Sequence, residues 1–119
     1  MKYVDGFVVP VPEANIKLYR SIAQKAGKIW KEYGALEYIE AAGDDLANTF
    51  CVPFTKAVKL KEGEIPFFSF IVYKSRAHRD KVNAKIMNDP RMKKMMENGA
   101  MPFEVKRMVY GGFKVLVDL

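Results

Sequence analysis

Eight residues, Pro66-Phe67-Phe68-Ser69-Phe70-Ile71-Val72-Tyr73, constrain this chain more than any other stretch. Successive side chains of a β-strand point to opposite faces, so Phe68, Phe70 and Val72 share one side and Phe67, Ile71 and Tyr73 the other. Neither side suits water, and the segment reads as a central strand covered on both faces. Residues Tyr3 to Val11 form a second run of this kind, with Tyr3, Asp5, Phe7 and Val9 on one face and Val4, Gly6 and Val8 on the other. That run carries one carboxylate inside it.

The remaining elements follow from periodicity and punctuation. Pro12 suits the first position of a helix, where its missing N–H would have been unpaired anyway. Ile16, Tyr19, Ala23, Ala26, Trp30 and Tyr33 then recur every three or four residues, which predicts a helix over Glu13 to Tyr33 closed by Gly34. A short strand over Ala35 to Ala42 leads to a turn at Gly43-Asp44-Asp45. Phe54 to Leu60 alternates weakly, and Lys61-Glu62-Gly63-Glu64 is expected to fold it back as a hairpin onto the Phe67 strand, with lysines guarding the sheet edge. Ser75 is a fitting N-cap for a helix to about Asn88, with His78, Val82 and Ile86 on the buried face and Met87 beside them. Asp89-Pro90 marks a stop and a restart, and Met92, Met95 and Met96 extend the apolar material until Asn98-Gly99 breaks it. Glu104 to Leu119 reads as the last strand, where Gly111-Gly112 marks a bend or a close approach.

Strand, helix, strand, strand, helix, strand is the ferredoxin-like βαββαβ order, an α+β fold with an antiparallel sheet and both helices on one face. The whole chain, residues 1–119, is read as one domain. In this arrangement the first and third strands lie in the centre, and here they are the two doubly apolar ones. The face without helices then holds an aromatic patch too large for a monomer, and a homodimer with sheets packed face to face is expected. RNA-recognition domains also expose aromatic sheet faces, but their strand needs a basic residue and two small ones that the Phe67 strand lacks, so no nucleic-acid partner is expected.

Charge and cysteine usage narrow the setting. Residues Lys74 to Lys94 hold eight basic residues and two acids, whereas the rest of the chain holds twelve of each, so the net charge of +6 lies on one segment. It reads as a solvated helix face that could draw a small anionic ligand. The single Cys51 cannot form an intrachain disulfide, and no apolar run reaches the ~20 residues of a membrane span or resembles a signal peptide. A cytoplasmic protein with no membrane partner is expected.

Several motifs together resemble a known family. Tyr3-Val4-Asp5-Gly6-Phe7, Gly43-Asp44-Asp45, Arg79-Asp80 with Asn83, Lys85 and Met87, Asp89-Pro90-Arg91-Met92, Met101-Pro102-Phe103, Lys106-Arg107-Met108 and Tyr110-Gly111-Gly112-Phe113 look like the YbaA-like domain-of-unknown-function family. The resemblance implies a dimeric α+β barrel built from ferredoxin-like halves. It implies no activity; the wider superfamily includes cofactor-independent monooxygenases, isomerases and haem enzymes.

Candidate catalytic residues are Asp5, His78 and Tyr110. A carboxylate between Tyr3 and Phe7 on a central strand is costly to bury unpaired, and could act as a general acid or base if desolvated. The alternative, which we prefer, is a structural Asp5 paired with Lys106, Arg107 or a backbone N–H. His78, the only histidine, could shuttle a proton but lies outside the family motif, and a capping or core role is the commoner one. One histidine and one cysteine make no usual zinc site, and no phosphate loop or nucleophile motif is present, so neither a metal nor a cofactor is expected. Two functions follow: a cofactor-independent enzyme, monooxygenase- or isomerase-like, acting on a small anionic or aromatic molecule between helices and sheet, or a non-catalytic dimeric binding or interaction module.

Overall fold

The computed structural model describes residues 1–97 and 101–119. Its sheet has the order β2-β3-β1-β4, built from β1 (Tyr3–Pro12), β2 (Glu37–Ala42), β3 (Glu64–Tyr73) and β4 (Val109–Lys114), with all neighbours antiparallel. The two doubly apolar strands are the central pair, matched residue for residue from Tyr3 opposite Tyr73 to Pro12 opposite Glu64. Helices α1 (Ile16–Glu32) and α3 (Arg76–Asn88) cover one face, and α4 (Pro90–Glu97) follows α3 directly. The architecture is the α+β, ferredoxin-like one that the order of elements implies.

Burial follows the strand alternation. Val9, Val11, Phe67, Ile71 and Tyr73 point to the helices and are buried, packing with Tyr19, Ala23, Ala26 and Ile29 of α1 and with Val82 and Ile86 of α3. A chain of hydrogen bonds ties the layers together: Trp30 Nε1 donates to the Tyr73 hydroxyl at 3.0 Å, and that hydroxyl donates to Asn83 Oδ1 at 3.3 Å. The opposite face carries Val4, Val8, Phe68, Phe70, Ile39, Val109 and Phe113, with neither α1 nor α3 over it; Phe54 packs edge-on against Phe68, and Phe68 and Phe113 remain roughly half exposed.

Several boundaries differ from expectation. Pro12 ends β1 instead of opening the helix: the Glu13 N–H donates to the Gly63 carbonyl at 2.8 Å, so sheet pairing runs to the end of the proline-rich strand. A turn of 3₁₀-helix over Glu13–Asn15 intervenes before α1. Phe54 to Leu60 forms no hairpin strand; Phe54–Ala57 is a single helical turn, α2, because the N–H groups of Lys56 and Ala57 fold back on the Pro53 carbonyl. β3 therefore pairs with β2, which becomes the sheet edge. The last strand starts only at Val109, since Arg107 is drawn out of line to the Lys59 carbonyl and to Glu64, 3.0 and 2.8 Å away. Met87 is exposed because it lies a quarter-turn beyond buried Ile86. The expected break at Asn98-Gly99 lies outside the described residues.

Gly27 is where α1 comes closest to the sheet. A Cβ there would lie 2.6 Å from the ring of Tyr38 on β2. A Gly→Ala change in a helix interior ordinarily adds ~0.5–1 kcal/mol of stability. Here overpacking, at ~1–3 kcal/mol, outweighs that gain. Urea denaturation of Gly27→Ala should show a midpoint below that of the parent protein, and a midpoint above it would disprove the contact.

Candidate active site

Two carboxylates sit on the helix side of the sheet, one on the central strand β1 and one on the edge strand β2, and their surroundings differ. Asp5 on β1 is 2% exposed and committed. Arg79 of α3 donates from Nε to both carboxylate oxygens at 3.1 Å, and its Nη2 lies 3.0 Å from Oδ1. The Tyr110 hydroxyl of β4 donates to the same oxygen at 3.2 Å. The guanidinium also covers the Tyr3 ring at 4.9 Å and contacts Asp80 at 2.8 Å. Asp5 holds the Arg79 guanidinium well above its ordinary pKa, against the opposing pull of burial.

The partner expected for Asp5 was thus the wrong cation: Arg107 serves Glu64 instead and keeps that carboxyl down at about 2. Gly112 explains the close approach foreseen at the glycine pair, since a Cβ there would meet the Tyr3 hydroxyl at 2.4 Å and Arg79 Nη2 at 2.6 Å. Gly112, directly opposite Asp5, leaves the space that Arg79 and the Tyr3 hydroxyl occupy. Asp5 and Tyr110 are therefore brought together, and His78 is not with them. His78 sits at the start of α3, where its N–H donates to the Ser75 hydroxyl at 3.1 Å and its Nδ1 accepts from the Lys74 N–H at 3.0 Å.

Glu40, on the edge strand β2, takes part in no ion pair among the described residues. The Tyr19 hydroxyl donates to Oε1 at 2.7 Å and the Tyr38 hydroxyl to Oε2 at 3.1 Å, while Ser69 lies opposite on β3. Burial pushes the Glu40 carboxyl above the usual carboxylate range, and the hydrogen bonds of Tyr19, Tyr38 and Ser69 only partly offset this. Both phenols are pushed up strongly as well, chiefly by burial and then by the neighbouring carboxylate. Alternation foreshadowed this residue, since Glu40 shares a strand face with Tyr38, but the sequence offered no hint that Tyr19 would meet it from α1.

Three spaces run across the helix side of the sheet from β2 to β4. An open groove of about 1020 Å³ lies between α1 and β2. Next to it is a chamber of about 220 Å³, walled by Val9, Ala26, Trp30, Ile71, Met92 and Phe103 among others, with Glu40, Tyr19, Tyr38 and Ser69 as its polar groups among the described residues. A cavity of about 510 Å³ follows, lined by Asp5 and Tyr110. Glu40, Tyr19 and Tyr38 line both the groove and the chamber, which adjoin at these side chains. No cluster suited to a metal ion occurs among the described residues. No helix among them is long and apolar enough to cross a membrane.

Residues 2–105 match the model of a family described as protein of unknown function, DUF1428. The chain belongs to the DUF1428 family. The uncharacterized protein YbaA of Escherichia coli K12 is 48% identical over 118 residues, covering 99% of each chain, and the YbaA proteins of Escherichia coli O157:H7 and Shigella flexneri match equally well. Among solved structures, a dimeric ferredoxin-like protein from an uncultured marine organism superposes with a TM-score of 0.63 over 99% of this chain and 98% of that one, at 12% identity. At that identity the likeness establishes the fold.

Glu40 lends itself to a test by pH. A carboxyl whose folded pKa is raised opposes folding when ionised, so its contribution is fullest below the unfolded value of ~4.3 and declines as pH rises through the folded value. Glu40→Gln cannot ionise. Its melting temperature relative to the parent should therefore climb as pH rises above ~4.3 and through the folded pKa of Glu40, whereas a difference that falls with pH would mean that Glu40 is held by a cation.

Proposed function

We propose that this protein is a cofactor-independent acid–base enzyme that moves a proton on a small, largely apolar carbonyl compound bound in the chamber, with Glu40 as the proton-transfer group. The observation that carries this reading is a carboxyl with a raised pKa and no cationic partner, at the border of an apolar chamber. The ionised Glu40 takes a proton from the carbon next to the carbonyl. The electron pair of that C–H bond forms a carbon–carbon double bond, and the carbonyl π pair moves onto oxygen. Tyr19 or Tyr38 stabilises the resulting oxyanion by donating its O–H, and Glu40 returns the proton to the same or a conjugated carbon. This is isomerase-type chemistry and needs no co-reactant.

Asp5 and Tyr110 take a different part in this reading. Asp5 already spends both oxygens on Arg79 and Tyr110, which suits a group that holds β1, β4 and α3 together. His78 is engaged at the start of α3, its N–H on the Ser75 cap and its Nδ1 on the Lys74 N–H. The competing reading, a binding module without catalysis, is favoured by the complete pairing of buried polar side-chain atoms among the described residues.

Hydrogen exchange separates the two. A panel of small ketones and enones in D₂O, followed by proton NMR, should show protein-dependent loss of the α-hydrogen signal for at least one compound. Glu40→Gln should slow this by about 10² to 10⁴. Saturable binding with no exchange on any compound would establish the binding module instead.

We further propose that the protein works as a homodimer through the helix-free face. Val4, Val8, Phe68, Phe70 and Phe113 form an apolar surface with no charge among them, and the dimeric description of the ferredoxin-like neighbour accords with this. Native mass spectrometry should show mostly dimer for the parent protein and monomer or aggregate for Phe68→Lys. A soluble parent monomer at micromolar concentration would rule the dimer out.

A further inference from the structure

The groove and the chamber meet at one place, where Tyr19, Ala23, Tyr38 and Glu40 line both. Their chemistry differs on either side of it. On the groove side Arg20, Gln24 and Lys28 follow one another at intervals of four along α1, so they form a single stripe two turns long. Two other charged residues on that wall are already engaged: Lys31 donates to the Leu36 carbonyl at 2.6 Å, and Glu32 is held by Arg91 at 2.8 Å. Arg20 and Lys28 take part in no ion pair among the described residues. On the chamber side the described lining contains no cation at all.

The chamber wall is unusually rich in one side chain. Met92, Met95, Met96, Met101 and Met108 all line it, and unbranched thioethers adapt to a flexible occupant better than to a rigid one. Phe7, Trp30, Ile71, Met92, Met96 and Met108 are shared with the cavity beyond, so the apolar path continues past the chamber towards β4.

From this polarity we propose that groove and chamber together bind one anionic amphiphile: an unbranched medium-chain monocarboxylate whose carboxylate lies in the groove against Arg20 and Lys28, and whose chain passes Tyr19 and Tyr38 into the methionine-lined chamber. This rests on the reading of Glu40 as the reactive group and gives it a substrate class, a chain carboxylic acid with a carbonyl or double bond a few carbons from the carboxylate. The described chamber lining offers a carboxylate no cation, whereas the groove offers Arg20 and Lys28, and the chain gains more from the apolar chamber than from the open groove. This division of charge between the two spaces thus fixes which carbons face Glu40.

Trp30 lines the chamber and is the only tryptophan of the chain, so its fluorescence reports occupancy directly. Titrations with hexanoate, octanoate and decanoate should give a Kd that falls about fourfold per added methylene. Decanol should bind about tenfold more weakly than decanoate at low salt. The exposed double variant Arg20→Ala/Lys28→Ala should abolish the preference for carboxylate over alcohol while leaving decanol affinity intact. Equal affinity for acid and alcohol, no dependence on chain length, or an unchanged preference in the double variant would each overturn the proposal. Decanoate binding by a protein that exchanges no α-hydrogen would uphold this inference and defeat the catalytic reading. Exchange on neutral ketones without any preference for carboxylates would do the opposite.

Discussion

A sheet whose two central strands are apolar on both faces must have both faces covered, and the rest of this molecule is arranged around that requirement. Ser69 on β3 is the one polar side chain between Phe67 and Tyr73, and it lies on the helix side. Helices α1 and α3 satisfy one face by burying Tyr19, Ala23, Ala26, Ile29, Val82 and Ile86 against it. The other face is left with Phe68, Phe70 and Phe113, which is the physical ground for a partner. Helix coverage is also what makes chemistry thinkable, because only the covered face is dry enough to shift the behaviour of a carboxyl.

Two acidic residues on that dry face meet desolvation in opposite ways. Asp5 is neutralised: a fork of guanidinium hydrogen bonds and a phenol satisfy both its oxygens, and the arginine reaches it only because Gly112 leaves room. Glu40 receives hydrogen bonds from neutral hydroxyls, those of Tyr19, Tyr38 and Ser69, which satisfy its oxygens without supplying a compensating charge. A paired carboxylate is a joint between elements, whereas one left without a cation retains the capacity to exchange its proton. The edge position of Glu40 adds access, since β2 has a neighbour on one side only.

Most of the fold was legible because its signals are local. The Phe67 strand, the α1 stripe ending at Gly34, the Ser75 cap and the Asp89-Pro90 stop each depend on residues within a turn or two of one another, and each holds in the structure. The errors fall where two weak local signals competed. Pro12 could begin a helix or end a strand, and only the Gly63 carbonyl decided it. The weak alternation of Phe54 to Leu60 lost to a helical turn that satisfied its own N–H groups.

By itself the sequence determined the α+β class, the identity of the central strands, the surplus of basic residues on one segment and the presence of a carboxylate inside β1. Alternation and helical period dictate all of these without reference to distant residues. Tertiary structure alone decided which cation Asp5 would take, because Arg79, Arg107 and Lys106 are equivalent in charge and differ only in where α3 and the turn before β4 place them. It alone put Tyr19 from α1 beside Glu40 from β2, 21 residues away, and made an unremarked edge-strand acid the group most exposed to desolvation without a counter-charge. Charge and residue type are written in the chain, but pairing and dielectric surroundings are properties of distance, and distance exists only once the chain has folded.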